Sequence, residues 1–224
     1  MTGLAKGKSS YISKDDRVSK GISKNYLIIK RIIDIFGSIV GILILSILFI
    51  VVSISIKIED PKGKVLFKQK RVGKNGRNFW MYKFRSMSSD AEERLTDLLS
   101  LNEVEGAMFK MKNDPRVTKV GKFIRKTSID ELPQLFNVLK GEMSLVGPRP
   151  PLPREVAEYS NYDKQRLLVV PGCTGLWQVS GRSNIGFAEM VELDLQYIRE
   201  SNIIFDIKIM LKTVLVLFGS KNAF

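Results

Sequence analysis

The sequence predicts an α+β protein that is attached to a membrane, and three features of the chain lead to that prediction. Residues 35–56 form a run of 22 without a charged side chain. At about 1.5 Å per residue, a helix of that length matches a bilayer core of ~30 Å. Two strand-like stretches joined at Asn75-Gly76 predict a β-hairpin. Residues 117–139 carry apolar side chains at helical spacing. The chain therefore combines a membrane helix, a hairpin and amphipathic helices.

The composition of the chain limits the partners that it could bind and the kinds of catalysis that it could perform. The 36 Lys and Arg residues outnumber the 23 Asp and Glu residues, which gives a net charge of +13. Such an excess suits nucleic acid, anionic lipid or phosphorylated substrates. The chain contains no histidine, which excludes Ser-His-Asp and Cys-His catalysis and His-ligated zinc. Covalent catalysis would need a carboxylate, hydroxyl or amine nucleophile. Its single cysteine, Cys173, excludes an internal disulfide and is interpreted as a buried thiol.

Three segments are expected along the chain. Residues 1–24 are polar and basic and lack the apolar core of a secretory signal, so they predict a flexible arm. Residues 25–58 would form the membrane helix, and residues 59–224 the globular part. A buried core helix is the weaker alternative for the apolar run, because soluble cores seldom hold so long an uncharged helix. Asp34 precedes the run beside Lys30 and Arg31, where pairing at the membrane surface is expected.

The globular part predicts both strands and helices. Residues 64–72 and 77–85 are the two strands of the hairpin. Residues 88–106 are acidic and predict an exposed helix without chemistry. Residues 117–126 predict an amphipathic helix whose basic side could lie on anionic lipid and which brings Arg125 next to an acidic pair. Residues 203–218 predict an interfacial or core helix.

Residues 126–150 are the stretch around which these elements are arranged. Ser128 and Glu131 have capping-box spacing, and apolar residues follow at helical intervals, so one helix from this cap to a C-terminal Gly141 is predicted. Asp130 would then lie in the first helical turn, opposite the apolar face. The polar side of that helix is expected to carry Gln134 and Asn137.

Two acids in a first helical turn usually do no more than complement the helix dipole. Here Arg125 and Lys126 precede them, and a Gly-Pro-Arg-Pro loop follows at residues 147–150. Two prolines make that loop stiff enough to hold the Arg149 guanidinium in place. Carboxylates, fixed cations and a helix N-terminus together could handle a metal-bound phosphate.

The stretch SIDELPQLFNVLKGEMSLVGPRP, residues 128–150, resembles the signature of bacterial sugar transferases, the monotopic polyprenyl-phosphate phosphoglycosyl transferases. The resemblance extends over residues 30–218. The family's Phe-x-Gln-x-Arg-x-Gly pattern is matched at residues 67–73, and its Tyr-Lys-Phe-basic segment at residues 82–85. Its Pro-Gly-x-Thr-Gly and Gly-Arg elements are matched within residues 171–187, although this chain reads Cys-Thr-Gly-Leu-Trp where common members read Ile-Thr-Gly-Trp-Ala.

The resemblance implies transfer of a hexose 1-phosphate from a UDP-sugar to undecaprenyl phosphate with release of UMP. This is the first membrane step of exopolysaccharide or capsule synthesis, on the cytoplasmic face of the bacterial membrane. It implies that Asp130 forms a covalent phosphosugar and that Glu131, together with Asp130, binds Mg²⁺. The implied substrate-binding residues are Lys83, Arg85, Arg125, Arg149, Gln178 and Arg182. The sequence leaves the sugar and the oligomeric state open.

In one respect the chain departs from the family. Relatives usually break the membrane helix with a Ser-Pro pair so that it enters and leaves on one side, and the matching pair here is Ser46-Ile47. Basic residues flank both ends of the run, and such residues prefer the cytoplasmic side. We therefore predict a re-entrant helix with a shallower bend, helped by a hydrogen bond from the Ser46 hydroxyl to the Ile42 carbonyl.

The alternative to an enzyme is a membrane-anchored basic module that binds nucleic acid or acidic lipid. That alternative accounts for the net charge of +13 and for the apolar run. It gives no reason for the acidic pair or the Gly-Pro-Arg-Pro loop, and the chain has no recognisable nucleic-acid-binding pattern, so no nucleic-acid partner is expected. A weaker alternative within the same family is a transferase that uses a CDP-sugar or a diacetamido-sugar donor.

Overall fold

Helices on a small amount of β-structure make up the fold, as the predicted α+β class requires. The computed structural model describes residues 22–91, 93–98, 111, 113–181 and 185–219. In chain order the helices are α1 Lys24–Ile44, α2 Ser46–Glu59, α3 Leu95–Leu98, α4 Lys119–Lys126, α5 Gln134–Lys140, α6 Pro153–Ala157, α7 Leu176–Ser180, α8 Phe187–Glu200 and α9 Ile203–Gly219. The strands are β1 Leu66–Val72, β2 Asn78–Phe84, β3 Ser144–Val146 and β4 Gly172–Thr174. Residues 1–21 of the predicted basic arm, and residues 92 and 99–106 of the predicted acidic helix, lie outside the described residues. The described part of that acidic stretch contains the short helix α3.

Helices α1 and α2 are the two halves of the apolar run, and they meet at Leu45 with a bend of 60°. No single described helix is long and apolar enough to cross a membrane, but this bent pair passes that test of length and composition together. The predicted position of the bend is thus confirmed. The predicted hydrogen bond from Ser46 is wrong: among the described serines of this pair, Ser38, Ser53 and Ser55 bond to the carbonyl four residues back, and Ser46 does not.

The two helices have an unusual distribution of side chains. On α1 the buried residues are Tyr26, Asp34 and Ser38, whereas Phe36 is 69% exposed. At the bend Ile44 and Ile47 are about three-quarters exposed, at 73% and 74%. A helix on the surface of a soluble domain has the opposite distribution, with its apolar stripe turned inward. The pair therefore presents an apolar surface outward, while α1 buries Asp34 and Ser38 and α2 buries Val52 and Ile56 against the rest of the chain.

Polar contacts attach α1 to the globular part. The Arg31 guanidinium donates to the carbonyls of Val138 and Leu139, at 2.6 and 2.7 Å, and so satisfies groups at the end of α5 that helix geometry leaves free. The Asp34 carboxylate accepts from the Ser144 hydroxyl and the Leu145 amide. The expected pairing of Asp34 with its neighbours Lys30 and Arg31 is therefore wrong.

The hairpin is confirmed. Strands β1 and β2 are antiparallel, with Gln69 opposite Met81. Asn75 and Gly76 both have positive φ in the turn, at 56° and 75°, the backbone conformation that an Asn-Gly pair tolerates. Phe79 and Met81 pack into a core cluster with residues from the end of α5 and the start of β3. The hairpin therefore lies against α5.

A second small sheet places the Gly-Pro-Arg-Pro loop. Strands β3 and β4 are parallel, with Val146 opposite Thr174. The backbone of Gly172 approaches Gly147 so closely that a Cβ on Gly172 would lie 2.0 Å from the Gly147 nitrogen, so only glycine fits there. Val146 also belongs to the main core, where it packs with α8 and α9. The loop after β3 is thus held between β4 and this core.

Candidate active site

The acidic pair lies on a tight turn between α4 and α5. Ser128 adopts a left-handed conformation with φ 55°, residues Ile129–Glu131 form a single 3₁₀ turn, and α5 starts only after Pro133. The prediction of one helix with a Ser128 capping box is therefore wrong, because Ser128 is left-handed and makes no side-chain cap. Leu132 keeps helical dihedrals, but Pro133 has no backbone N–H with which to bond back to the preceding turn. The predicted C-terminal Gly141 is confirmed, with φ 79°.

Helix α5 also turns the opposite face inward from the one that its pattern suggests. Gln134 and Asn137 are 4% and 0% exposed, whereas Phe136 on the apolar side is 38% exposed. The apolar side meets α1 and α2 instead, and the Phe136 ring packs edge-on against Phe49 of α2. Polar residues of α5 therefore face the hairpin and a cavity.

That cavity has a volume of about 1330 Å³ and opens beside the acidic turn. The structure brings together at its wall every predicted site residue that it describes: Lys83, Arg85, Arg125, Asp130, Glu131, Arg149 and Gln178. Arg182 lies outside the described residues. Cys173 is half-buried at the same wall, and burial raises the pKa of its thiol, which therefore stays protonated at neutral pH.

Asp130 is the buried member of the acidic pair. Its residue is 8% exposed, and burial raises the pKa of its carboxyl from 3.8 to about 6. The Lys83 ammonium opposes that rise and Glu131 adds to it, while Arg125 also favours the carboxylate. The Lys83 Nζ lies 2.6 Å from Glu131 Oε1 and 4.0 Å from Asp130 Oδ2. A cation therefore already stands beside both carboxylates.

Arginines border the cavity on either side of this pair. On the Asp130 side, Arg125 Nε donates to the Ser86 hydroxyl at 2.8 Å, and burial lowers the pKa of its guanidinium. Nearby, Arg85 Nε is buried and has no hydrogen-bond partner among the described residues. These guanidinium groups lie at the wall of a cavity next to a carboxylate, an arrangement suited to an anionic ligand.

On the other side, Arg149 lies on the stiff loop, 3.4 Å from Glu155. Arg71 reaches the same loop from β1 and donates to the Pro150 carbonyl at 3.0 Å. Burial, reinforced by repulsion from Arg149, lowers the pKa of Arg71 to about 10. Arg71 was not among the predicted site residues, although its place in the Phe-x-Gln-x-Arg-x-Gly pattern was a usable signal.

A further ion pair at the cavity was missed. Arg116 and Asp114 are both buried, and the guanidinium binds the carboxylate through two nitrogens, at 2.9 Å from Nε and 2.7 Å from Nη2. Arg116 lines the cavity, and the negative charge of Asp114 favours the charged form of the Arg125 guanidinium. Only the short Asp-Pro-Arg sequence at residues 114–116 could have indicated this pair.

Comparison with known proteins agrees with this geometry. Residues 25–220 match the family described as bacterial sugar transferase. The chain belongs to this family. It is 55% identical over 198 residues to the galactosyl transferase CpsE of Streptococcus agalactiae. That match covers 88% of the chain and 44% of the relative. The chain is 44% identical over 200 residues to the undecaprenyl-phosphate galactose phosphotransferase of Salmonella typhimurium, covering 88% of the chain and 42% of that relative.

The relatives that the chain matches differ in length. The chain spans less than half of both proteins just named. It is also 39% identical over 199 residues to the exopolysaccharide production protein ExoY of Rhizobium meliloti, covering 87% of the chain and 88% of that relative. The matched region therefore includes nearly all of α1, all of α2, the hairpin and every candidate site residue named above.

The acidic pair of the chain has a donor set that suits Mg²⁺. Among the described residues no group of three or more His, Cys, Asp or Glu could hold a metal ion. Mg²⁺ often takes only one or two protein carboxylates and completes its octahedron with water and substrate phosphates. Two carboxylates with a lysine ammonium already beside them, at the wall of an arginine-lined cavity, fit that requirement.

Proposed function

We propose that the chain transfers a hexose 1-phosphate from a UDP-sugar to undecaprenyl phosphate, with Asp130 as nucleophile. One observation carries the proposal: Asp130 is a buried carboxylate beside a cavity lined with cations. With a pKa of about 6, it remains mostly ionised at neutral pH and is more basic than an exposed aspartate. The names of the relatives support the substrate classes, since three of them are named for undecaprenyl phosphate and one of these also for a UDP-sugar.

The proposed reaction has two displacements at one phosphorus. An Asp130 oxygen attacks the sugar-bearing phosphorus of the donor, the bond to the bridging oxygen breaks, and UMP leaves with the electron pair. An oxygen of the lipid phosphate then attacks the same phosphorus, and the bond to Asp130 breaks. The products are a lipid diphosphate sugar and the regenerated carboxylate. No histidine base is required, in agreement with a chain that has none.

The remaining residues of the site bind and orient the phosphates. Arg125 and Arg85 would neutralise phosphate oxygens on the Asp130 side, and Arg149 would do so on the opposite side, because planar guanidinium groups bind phosphate through two donors. Lys83 keeps the pKa of Asp130 lower than burial alone would set it. Gln178, and Arg182 by resemblance, are proposed contacts of the donor.

Asp130 and Glu131 would hold Mg²⁺ when the donor is bound. The ion would supply charge neutralisation on the phosphate oxygens during both displacements. The more exposed Glu131 side chain is the more accessible ligand, at 45% exposure against 12% for that of Asp130.

We further propose that the bent pair α1–α2 enters the bacterial cytoplasmic membrane from the cytoplasmic face and returns to it. Its apolar surface faces outward, and the 60° bend suits a re-entrant path. Cys173→Ser with Ser9→Cys gives one reactive thiol in the basic arm. A membrane-impermeant maleimide added to intact cells should label it only after permeabilisation. Labelling of intact cells would mean that the helix pair spans the membrane.

The direct test is a screen of UDP-sugars with purified protein and undecaprenyl phosphate, scored by UMP release. UDP-galactose comes first because relatives at 55% and 44% identity are named for galactose. UDP-glucose and UDP-N-acetylgalactosamine follow because other relatives are named for those sugars. CDP-sugars and diacetamido-sugar donors complete the screen. Repeated UMP release that requires both substrates, with at most one UMP per protein molecule from the donor alone, supports the proposal.

The covalent step has its own test. Donor alone should add one hexose phosphate to the peptide that contains Asp130, as detected by mass spectrometry, and Asp130→Asn should abolish the adduct. If no donor is turned over while the protein binds anionic vesicles or nucleic acid, the chain acts as a basic binding module instead.

A further inference from the structure

The outer edge of strand β2 is completed by one side chain. Strand β1 pairs with one edge of β2, and no described strand pairs with the other. On that other edge the Asn137 amide nitrogen donates to the Trp80 carbonyl at 2.7 Å, and the Asn137 amide oxygen accepts from the Tyr82 nitrogen at 3.0 Å. These are the two bonds that one residue of a neighbouring parallel strand would make. A side chain of α5 thus takes the place of one residue of a third strand.

This amide is fixed more tightly than a surface contact would be. Asn137 is 0% exposed, and its second amide hydrogen is directed at Glu142 Oε2, 2.7 Å from the nitrogen. The Glu142 carboxylate accepts only, so it sets which end of the amide carries the nitrogen. The amide nitrogen therefore donates two hydrogen bonds and the amide oxygen accepts one. Breaking hydrogen bonds to a buried amide is costly, because its polar atoms would be left without partners.

The Asn137 contact lies directly beside the predicted site residue of β2. Tyr82 is followed by Lys83, whose ammonium reaches Glu131 at 2.6 Å and Asp130 at 4.0 Å. The acidic turn and Asn137 belong to one short segment, since α5 begins three residues after Glu131. Lys83 has a long flexible side chain, and it can stand between two carboxylates only if its backbone is held against that segment.

We propose that Asn137 is a positioning residue, whose amide holds β2 in register with the acidic turn so that the Lys83 ammonium stays beside Asp130 and Glu131. This inference rests on the proposed function, because it assumes that Asp130 and Glu131 are the reactive groups. The position of the Lys83 ammonium can nevertheless be tested without measuring turnover. A merely structural Asn137 would stabilise the fold and leave Lys83 unaffected.

The chain offers a matched control. Val138 is the next residue of α5, is also 0% exposed, and packs in one cluster with Phe79 and Met81 of β2. Val138→Ala removes packing between α5 and β2 but leaves both amide bonds in place. Asn137→Ala removes the bonds. Comparing the two separates loss of stability from loss of register.

The first measurement is the rate at which acetic anhydride modifies Lys83 in the full-length protein, followed by peptide mass spectrometry. Asn137→Ala should raise that rate roughly tenfold, the factor expected when a charge-assisted hydrogen bond is lost, and Val138→Ala should not. Equal rates in both variants, or no change in Asn137→Ala, would overturn the inference whether or not the protein turns over a donor.

The second measurement is a double-mutant cycle on UMP release. Asn137→Ala should lower kcat/KM by about 10- to 100-fold, because a small displacement of a positioned group costs that much. In a Lys83→Met background the same substitution should cost less than about threefold, since independent sites add and coupled ones do not. Full additivity would overturn the inference. Val138→Ala should cost the same in both backgrounds.

Glu142 supplies a second pair of variants if Asn137→Ala does not fold. Glu142→Ala removes the group that orients the amide and should reproduce the faster modification of Lys83. Glu142→Gln keeps an acceptor oxygen and should restore slow modification. Slow modification in both variants would contradict a positioning role of Asn137.

Discussion

Asp130 and Asp194 are both buried aspartates, and burial raises the pKa of each carboxyl to about 6. Their surroundings differ. Asp194 lies on α8 at 0% exposure and forms an ion pair with Arg166, which is itself 1% exposed and donates to the Tyr159 hydroxyl at 2.9 Å. Asp130 lies at the wall of the large cavity, and the ammonium of Lys83 is 4.0 Å from its carboxylate and closer to Glu131.

This difference shows that a raised pKa by itself does not identify a reactive carboxylate. Arg166 binds the Asp194 carboxylate directly, and protein encloses the pair on every side. Around Asp130 the cations stand beside the carboxylate without covering it, because Lys83 binds Glu131 and Arg125 binds Ser86. A nucleophile needs an accessible oxygen as well as a suitable pKa. Four predictions test this contrast.

The largest effect is expected from Asp130→Asn. The amide cannot act as the nucleophile, so UMP release should fall by on the order of 10⁴-fold or more. The fold should be retained, because Asn has nearly the same shape and removes a buried charge. UMP release and circular dichroism of the purified variant measure the two quantities. An active Asp130→Asn enzyme would remove Asp130 from the mechanism.

A loss of stability, not of chemistry, is expected from Asp194→Ala. The substitution leaves the Arg166 guanidinium buried without its carboxylate, which typically costs about 3–5 kcal/mol. Denaturant unfolding in detergent measures that loss, and kcat per folded molecule should stay unchanged. If kcat falls while the free energy of unfolding is unaffected, the division between the two aspartates is wrong.

Glu131→Gln should fold nearly normally and lose activity on the order of 10²-fold, because the amide is a weaker ligand for Mg²⁺ than a carboxylate. Raising the Mg²⁺ concentration should restore part of the loss in a titration of UMP release. Activity of the wild-type protein that survives EDTA would contradict the metal role of both carboxylates.

The smallest effect concerns stability against pH. The folded pKa of Asp130 is about 6, above the reference value of 3.8, so the folded state binds the extra proton between those values. Its contribution to stability is present below about pH 4 and is lost as pH rises to about 6. In EDTA, Asp130→Asn should therefore be more stable than wild type by about 3 kcal/mol at pH 7, and the two should agree below pH 4. A difference that is constant with pH would contradict the burial of Asp130.

Local patterns predicted much of the fold. The apolar run gave the bent pair α1–α2, Asn75-Gly76 gave the hairpin turn, and Gly141 gave the end of α5. These features depend on a few neighbouring residues, such as a glycine that tolerates positive φ or a long stretch without charge. The predicted membrane topology and the segment boundaries stay predictions.

Two features of the site did not follow from local patterns. The capping-box spacing of Ser128 and Glu131 predicted a helix start, but Ser128 took the left-handed conformation and Pro133 delayed α5. The spacing of apolar residues correctly separated an apolar and a polar face of α5, but it did not show that the apolar face meets α1 and α2 or that Gln134 and Asn137 are buried. A periodic pattern identifies two faces of a helix without saying what covers each one.

The sequence by itself therefore determined most of the elements, the family resemblance and the candidate site residues, because each depends on residue type and short spacing. Only the tertiary structure decided that Asp130 is buried beside Lys83, that Arg71 and Arg116 join the cavity, and that Asn137 completes the edge of β2. Burial, pKa and hydrogen-bond partners are set by groups far apart in the chain. Arg31, for example, reaches Val138 across 107 positions.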